Sequence, residues 1–369
     1  MVKFDFTKLK EAIEINSYTE NSDGVNQNGK LFQEEMEKLG FRSKIFKRGG
    51  IGNHFYFRSP DLGEDKVLLL GHLDTVFPEG TFESFSEDDL WIYGAGVCDM
   101  KGGNYLALQV LKNIKEKFGE IRGIDMLLVS DEETGSDDSK FLTEQLASYY
   151  RYSFVFEASG KNGELVVARK GVGTFFVDIK GLSSHSGNHY SDGADANLEA
   201  SYKTIELTKL TDLENGTTLN VGKIEGGVGA NTISPSAKLT FEIRYTKESE
   251  RERLLKEINR IISTNFIKGT RSRLSGGIQR DVMESSDEKE GLIKLFEDIT
   301  GKTVPTESRG GVSDANVTSS AGVLTLDGFG PFGDGDHTLK ERASKRSFNQ
   351  RVEFTTKILS YFQEQGHFL

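Results

Sequence analysis

Cysteine is almost missing from this chain: Cys98 is alone among 369 residues, which excludes an internal disulfide framework and fits a reducing, cytoplasmic setting. Long apolar runs are missing too. No stretch approaches the roughly 18 apolar residues that a membrane span requires. The opening MVKFDFTKLKEAIE reads as an amphipathic helix with acids in it and lacks the apolar centre of a signal peptide. Positive charge is in deficit, with 46 Lys and Arg against 57 Asp and Glu and a net charge of −11. With no basic stripe to offer phosphates, nucleic acid is not expected as a partner, and neither is a membrane. Internal repeats and long low-complexity tracts are also absent.

What is there is a long chain with two styles of patterning. At 369 residues it exceeds what one core normally supports, so two domains are expected. From the start to about Lys170, helix-like and strand-like segments alternate, as in an α/β sheet. Between residues 171 and 280 the order becomes strand (Thr174 to Ile179), helix (Ala194 to Leu210), strand (Thr217 to Glu225), strand (Lys238 to Tyr245), helix (Glu248 to Phe266) and strand (Arg273 to Gln279). That is the β-α-β-β-α-β order of a ferredoxin-like α+β unit. Residues 281–369 then supply helices that complete the first domain, which makes 1–170 and 281–369 one domain and 171–280 an insertion.

The chemistry gathers where apolar runs end. His72 follows Val67 to Leu70, the position at which an open α/β sheet places its ligand crevice. Asp74 lies two residues on; on extended backbone the pair points to one side, so a carboxylate can hold the imidazole in the orientation a metal requires. Asp99 sits in the glycine-rich loop GAGVCDMKGG, where its two oxygens can bridge ions roughly 3.5–4 Å apart. Glu132 and Glu133 close the run Ile124 to Ser130 and can act differently, since one can bind metal while the other takes a proton from water. Glu157, after Ser153 to Phe156, is a candidate fourth ligand. His337 lies in the loop GPFGDGDHTLKE, with no periodicity to explain it as packing. Cys98 adjoins Asp99, but zinc–thiolate sites are usually built from sets of cysteines. Asp137 and Asp138 read as a solvated acidic turn capping the helix that follows.

In the order GHLDT, GAGVCDMKGG, SDEETGS, FEASG, GLSSHSG, GGVGANTISPSA with EIRY, and DGDHT, the chain resembles the bridged-dizinc metallopeptidases, from about Leu68 to His337. That family includes glutamate carboxypeptidases, acetylornithine deacetylase, succinyl-diaminopimelate desuccinylase and aminoacylases. HLDTVFP, ARKG and RGGVSDAN are most similar to the glutamate carboxypeptidase branch. The resemblance implies an α/β mixed-sheet catalytic domain with helices on both faces, with the ferredoxin-like insert as lid and dimerisation domain.

It further implies that His72, Asp99 and Glu157 bind one zinc and Asp99, Glu133 and His337 the other, with cobalt or manganese compatible with the same donors. Glu132 matches the general base, Asp74 the residue behind His72, and His185 the group that stabilises the tetrahedral oxygen. Asn231 and Arg244 are given the substrate carboxylate, which arginine grips with two parallel hydrogen bonds. A cis peptide is implied between Asp99 and Met100, and a homodimer in which His185 reaches the partner's active site. Read without the resemblance, His185 and Asn231 are ordinary turn residues and Arg244 a surface charge.

The expected activity is hydrolysis of an amide next to a free carboxylate, in a small peptide or an N-acyl amino acid. A deacylase of the acetylornithine deacetylase or aminoacylase kind is the nearest alternative. A non-catalytic ligand-binding descendant would normally have lost Glu132 or a ligand. A two-metal phosphoesterase gives no account of Asn231, Arg244 and the insert.

Overall fold

The computed structural model describes residues 4–369. The chain divides into two compact units, one running up to Ala168 and resuming with Ser285–Leu369, the other formed by Arg169–Glu284. In the first unit, β1 (Arg42–Phe46), β2 (His54–Arg58), β3 (Val67–His72), β4 (Ile124–Val129), β5 (Tyr152–Val155) and the late β10 (Leu324–Leu326) form one sheet in the order β1-β2-β4-β3-β5-β10. β1, β2 and β4 pair antiparallel, and β4, β3, β5 and β10 pair parallel. The sheet is mixed, as expected.

β3, β4 and β5 are buried at every position, the mark of strands covered on both faces. The path from β3 through α3 (Lys101–Phe118) to β4 steps one way across the sheet. The path from β4 through α4 (Ser139–Ala147) to β5 steps back. Right-handed crossovers therefore lay these two helices on opposite faces. α3 packs with α1 (Thr7–Ile13) and α9 (Lys345–Gln365), and α4 packs with α8 (Asp314–Ser320). α2 (Ser22–Lys38) lies on β1 and β2, and α7 (Asp287–Thr300) on α9. Of the helix expected at the start of the chain, Met1–Lys3 lie outside the described residues; the helix is α1, from Thr7. α3 ends at Gly119, whose φ of 79° is the left-handed cap its sequence requires.

The reversal at β3 sets up the site. β4, β3 and β5 run parallel side by side, so their carboxyl ends open on one crevice where the connections diverge. Behind that crevice Phe154 stacks on Phe329 with centroids 4.6 Å apart, part of a continuous apolar core.

The second unit contains β6 (Gly171–Lys180), α5 (Ala196–Thr208), β7 (Thr218–Gly226), β8 (Ser236–Tyr245), α6 (Glu248–Ser263) and β9 (Arg271–Arg280). Its sheet is antiparallel in the order β7-β8-β6-β9. Both helices pack on this sheet and on each other, enclosing a core that includes Phe175, Val177, Leu239, Phe241, Leu207 and Ile258. Outward residues alternate with these, so Phe176 and Asp178 are exposed. Lys203 is fully buried, paired with Glu199 at 2.9 Å and donating to the carbonyls of Ile261, Ile262 and Thr264. It thereby ties α5 to the carbonyl end of α6. The chain enters and leaves this unit side by side, with paired backbone bonds between Arg169 and Met283 of 2.8 and 3.1 Å. Among the described residues, no helix is long and apolar enough to cross a membrane.

Candidate metal centre

His72 occupies the last position of β3 and is 1% exposed. Asn104, in the first turn of α3, donates from Nδ2 to the His72 carbonyl at 2.6 Å. A Cβ on Gly71 would come within 2.0 Å of Asn104 Oδ1, so a side chain there would displace the Asn104 amide. Imidazole Nδ1 lies 3.0 Å from the backbone carbonyl of Asp74 and 3.4 Å from its carboxylate. A proton on Nδ1 is thus held by Asp74, leaving Nε2 to face Asp99 Oδ1 at 3.1 Å and Glu157 at 3.7 Å.

Asp74 does more than orient the ring. Its Oδ1 accepts the N–H of Glu132 at 3.2 Å, and its Oδ2 accepts the N–H of Glu133 at 3.1 Å and the hydroxyl of Thr19 at 2.8 Å. One buried carboxylate therefore ties the end of β3 to the turn after β4. That turn is a short 3-10 segment, Glu132–Thr134, not a simple strand end.

The cap of α4 departs from the sequence expectation. Asp138 makes no side-chain cap bond; its carboxylate takes Arg48 and, at 2.9 Å, His54. The cap is Asp131, whose Oδ2 accepts the N–H groups of Asp138 and Ser139 at 2.9 and 3.2 Å. With φ and ψ at −95° and −52°, Asp138 is already helical, so its side chain does not fold back onto the following N–H groups. Asp137 is the solvated member, paired with Lys140 at 3.0 Å.

Asp99 lies in the loop before α3, and its peptide to Met100 is cis. The first turn of α3, just after it, approaches the residue that follows β5: a Cβ on Gly103 would meet the Phe156 carbonyl at 1.9 Å. Glu341 holds the loop from the far end of the chain, accepting the N–H groups of Gly96, Cys98 and Asp99 at 3.0, 2.9 and 3.1 Å. Burial pushes the Glu341 carboxyl up to about 8. The sequence pattern does not single Glu341 out; an acid four residues beyond His337 is its only signal. Cys98 is buried under Gly333 and belongs to neither ligand group.

His337 lies in the loop between two short paired strands, Gly333–Asp334 and Arg342–Ser344. Its φ of 60° is a left-handed conformation that histidine adopts more readily than branched residues do. Nε2 lies 3.2 Å from Asp99 Oδ2 and 3.2 Å from Glu133. Its side chain is 56% exposed, so this is the open side of the cluster.

Two groups result, His72–Asp99–Glu157 and Asp99–Glu133–His337, each with ligand atoms within 4.8 Å of one another and with Asp99 common to both. Among the described residues no Lys or Arg pairs with these three carboxylates within 4.0 Å. Burial, with Asp99 close by, lifts Glu157 well above the usual range and raises Glu133. Burial opposes charge on Asp99 and on His72 alike. Even so, hydrogen bonds from His337 and His72 hold Asp99 below its ordinary value, and those to Asp74 and Asp99 carry His72 well above its own. Asp99 and then Glu133 push His337 up to about 11. The cluster thus draws positive charge from its imidazoles, and a donor set of two imidazoles and three carboxylates suits divalent cations.

His185, Asn231 and Arg244 belong to the second unit. His185 and Asn231 are exposed neighbours: His185 bridges Thr232, and Ser186 donates to the Asn231 carbonyl at 3.0 Å. His185 Nδ1 accepts the N–H groups of Gly187 and Asn188 at 3.2 and 3.3 Å. Both flank the start of β8, whereas Arg244 is near its end and bonds Glu242 at 2.7 Å. At ~3.3 Å per residue, the span of β8 from Ser236 to Arg244 is roughly 26 Å. Within one copy, Arg244 is therefore at the opposite end of the sheet from the other two.

An α/β sheet whose strand ends carry carboxylate and histidine groups of this kind defines a class, hydrolases with a candidate metal centre. The chain belongs to peptidase family M20/M25/M40, whose profile matches residues 68–361, and is a hydrolytic enzyme acting on amide bonds. It is 26% identical over 342 residues to carboxypeptidase G2 of Pseudomonas sp., covering 90% of this chain and 82% of that one. It is also 26% identical to succinyl-diaminopimelate desuccinylase of Rickettsia rickettsii, covering 90% and 93%. Among solved structures, a tripeptidase from Staphylococcus aureus shares the fold with a TM-score of 0.81 at 22% identity, covering 98% of both chains.

Proposed function

We propose that the enzyme holds two divalent cations, zinc with cobalt or manganese as substitutes, and cleaves an amide bond next to a free carboxylate. The observation that carries this is Asp99, whose two oxygens are faced by His72 at 3.1 Å and His337 at 3.2 Å, with Glu157 and Glu133 completing the two groups. When bound, such a pair supplies Lewis acidity toward a carbonyl oxygen and lowers the pKa of a water.

The chain's own residues do the rest. Glu132 accepts the proton of the attacking water and returns it to the departing nitrogen. Asp74 fixes the His72 tautomer and, through two N–H bonds, the turn bearing Glu132 and Glu133. His185 donates to the developing tetrahedral oxygen, while Asn231 and Arg244 take the substrate carboxylate. Carboxypeptidase G2 and the desuccinylase, by name, act on substrates of this kind, which favours a small peptide or an N-acyl amino acid.

The same reading includes a homodimer in a cytoplasmic setting. With Arg244 at the far end of the sheet, His185 and Asn231 serve the other copy's active site. The edge strand β7, with Ile224 56% exposed, and the stripe Leu198, Tyr202 and Ile205 on α5, 40%, 44% and 55% exposed, support such pairing.

The test is a panel of dipeptides and N-acyl amino acids on metal-loaded protein, each with a free or amidated carboxyl end. Free-carboxylate substrates should be strongly preferred, and Arg244→Ala should raise their KM while leaving amidated ones unchanged. Equal losses on both would reject the carboxylate role. Preference for a free amino end, with indifference to the carboxyl end, would reject the substrate class.

A further inference from the structure

A cavity of about 480 Å³ opens in the first unit, and none of the residues lining it is a candidate metal ligand. Its volume falls in the ~300–1,000 Å³ range of small-molecule sites. Its walls are the loop Lys161–Gly163, the segment 302–305 after α7, and the first turns of α9.

The charge there runs against that of the chain. Lys161, Lys302, Arg346, Arg351 and Lys357 line the cavity against one carboxylate, Glu353, in a protein of net charge −11. Glu353 is taken by Lys357 at 3.1 Å. Lys161, Lys302 and Arg346 have no carboxylate within 4.0 Å among the described residues. The first turn of the 21-residue α9 contains no acid, although Ser344 caps the N–H of Ser347 and the Leu90 carbonyl takes that of Lys345.

Arg351 points independently to a ligand. It is 4% exposed, with its terminal nitrogens on the carbonyls of Gly163 and Gly328 and its Nε without any hydrogen-bond partner. The acid whose charge reaches it, Glu164, is occupied by Asn162. A buried guanidinium with no anion beside it is costly, and burial pushes Arg351 down to about 9. Val304, Pro305, Phe332 and Phe354 supply an apolar part of the lining.

We propose that this cavity binds a small phosphate-bearing molecule with an apolar body, at a site separate from the metal centre. Several cations without a carboxylate partner, lining one space with a buried guanidinium, suit the charge and the many acceptor oxygens of a phosphate better than a single carboxylate.

Calorimetric titration of the full-length, metal-loaded protein tests it, with adenosine 5′-monophosphate, inorganic phosphate, adenosine and glutarate as probes. The monophosphate should saturate one site per chain, phosphate should bind more weakly, and adenosine and glutarate should not bind measurably. A Lys302→Ala/Arg346→Ala variant, altered at two positions away from the core, should bind the monophosphate roughly tenfold or more weakly. Arg351→Lys should weaken it as well, while His337→Ala should leave it intact. No binding of the monophosphate, binding lost only with His337→Ala, or tighter binding of glutarate than of phosphate would each overturn the assignment.

Discussion

In the first unit β3, β4 and β5 are buried at every position, whereas β6 and β8 of the second alternate buried with more accessible residues. A strand covered on both faces can offer chemistry only where it ends. There His72 stands, with the Glu132–Glu133 turn and Glu157 just beyond the neighbouring strand ends. A sheet covered on one face keeps a whole surface and an edge free for recognition. The unit with the tighter sheet thus carries the candidate centre, and the unit with the open sheet carries the groups assigned to substrate and partner.

The largest effect expected of that division is at Glu132. Glu132→Gln should keep both metals by elemental analysis and lose about 10²–10⁴ in kcat, the range for a positioned general base. Near-normal turnover would remove Glu132 from the reaction and with it the case for a strand-end centre. Next is the buried sheet itself. Leu69→Ala, fully buried in β3, should cost roughly 2–5 kcal/mol in denaturant unfolding.

A smaller effect tests the periphery of the first unit. Glu35 on α2 bonds Lys38 and Lys112, each at 2.7 Å. Burial alone would raise its carboxyl, but the two ammonium groups bring it down to about 2 from 4.5. Its folded pKa is depressed, so the unfolded chain binds the proton more readily between those values. The stabilisation is present above about pH 4.5 and disappears as pH falls toward 2. Glu35→Gln should therefore lose on the order of 1–2 kcal/mol at pH 7 and match the parent near pH 2. A constant difference across that window would assign the effect to packing.

The smallest effect is expected on the open sheet, where Phe176 of β6 is 46% exposed. Phe176→Ala should change stability by less than about 1 kcal/mol. A loss as large as that of Leu69→Ala would mean that this face is covered in the working assembly, and the contrast between the sheets would fail. Metal loading sharpens the contrast from the other side. Because His337 is held near 11 by its two carboxylates and ligation needs neutral imidazole, binding at pH 7–8 should release protons and strengthen as pH rises. Titration heats that do not change between buffers of different ionisation enthalpy would show that no proton leaves.

The sequence by itself determined several of the strands and helices. Apolar runs such as Val67 to Leu70 and Ile124 to Ser130 read directly as buried strands, and the alternation around Phe175 and Val177 as a half-covered one. It also offered His72, Asp99, Glu157 and His337 as candidates, because each follows an apolar run or interrupts a glycine loop, while the choice of Glu133 over Glu132 as a ligand came from the resemblance. Both signals are local, and local patterning is what a linear reading resolves. Only the tertiary structure decided that Asp99 and His337, 238 positions apart, lie 3.2 Å from each other. It alone made Asp131 the cap of α4, gave Glu341 three N–H groups some 240 residues away, and left Arg351 buried without an anion. Those contacts arise where distant stretches of chain pack together, and nothing in the spacing of residues along one stretch encodes what another brings to meet it.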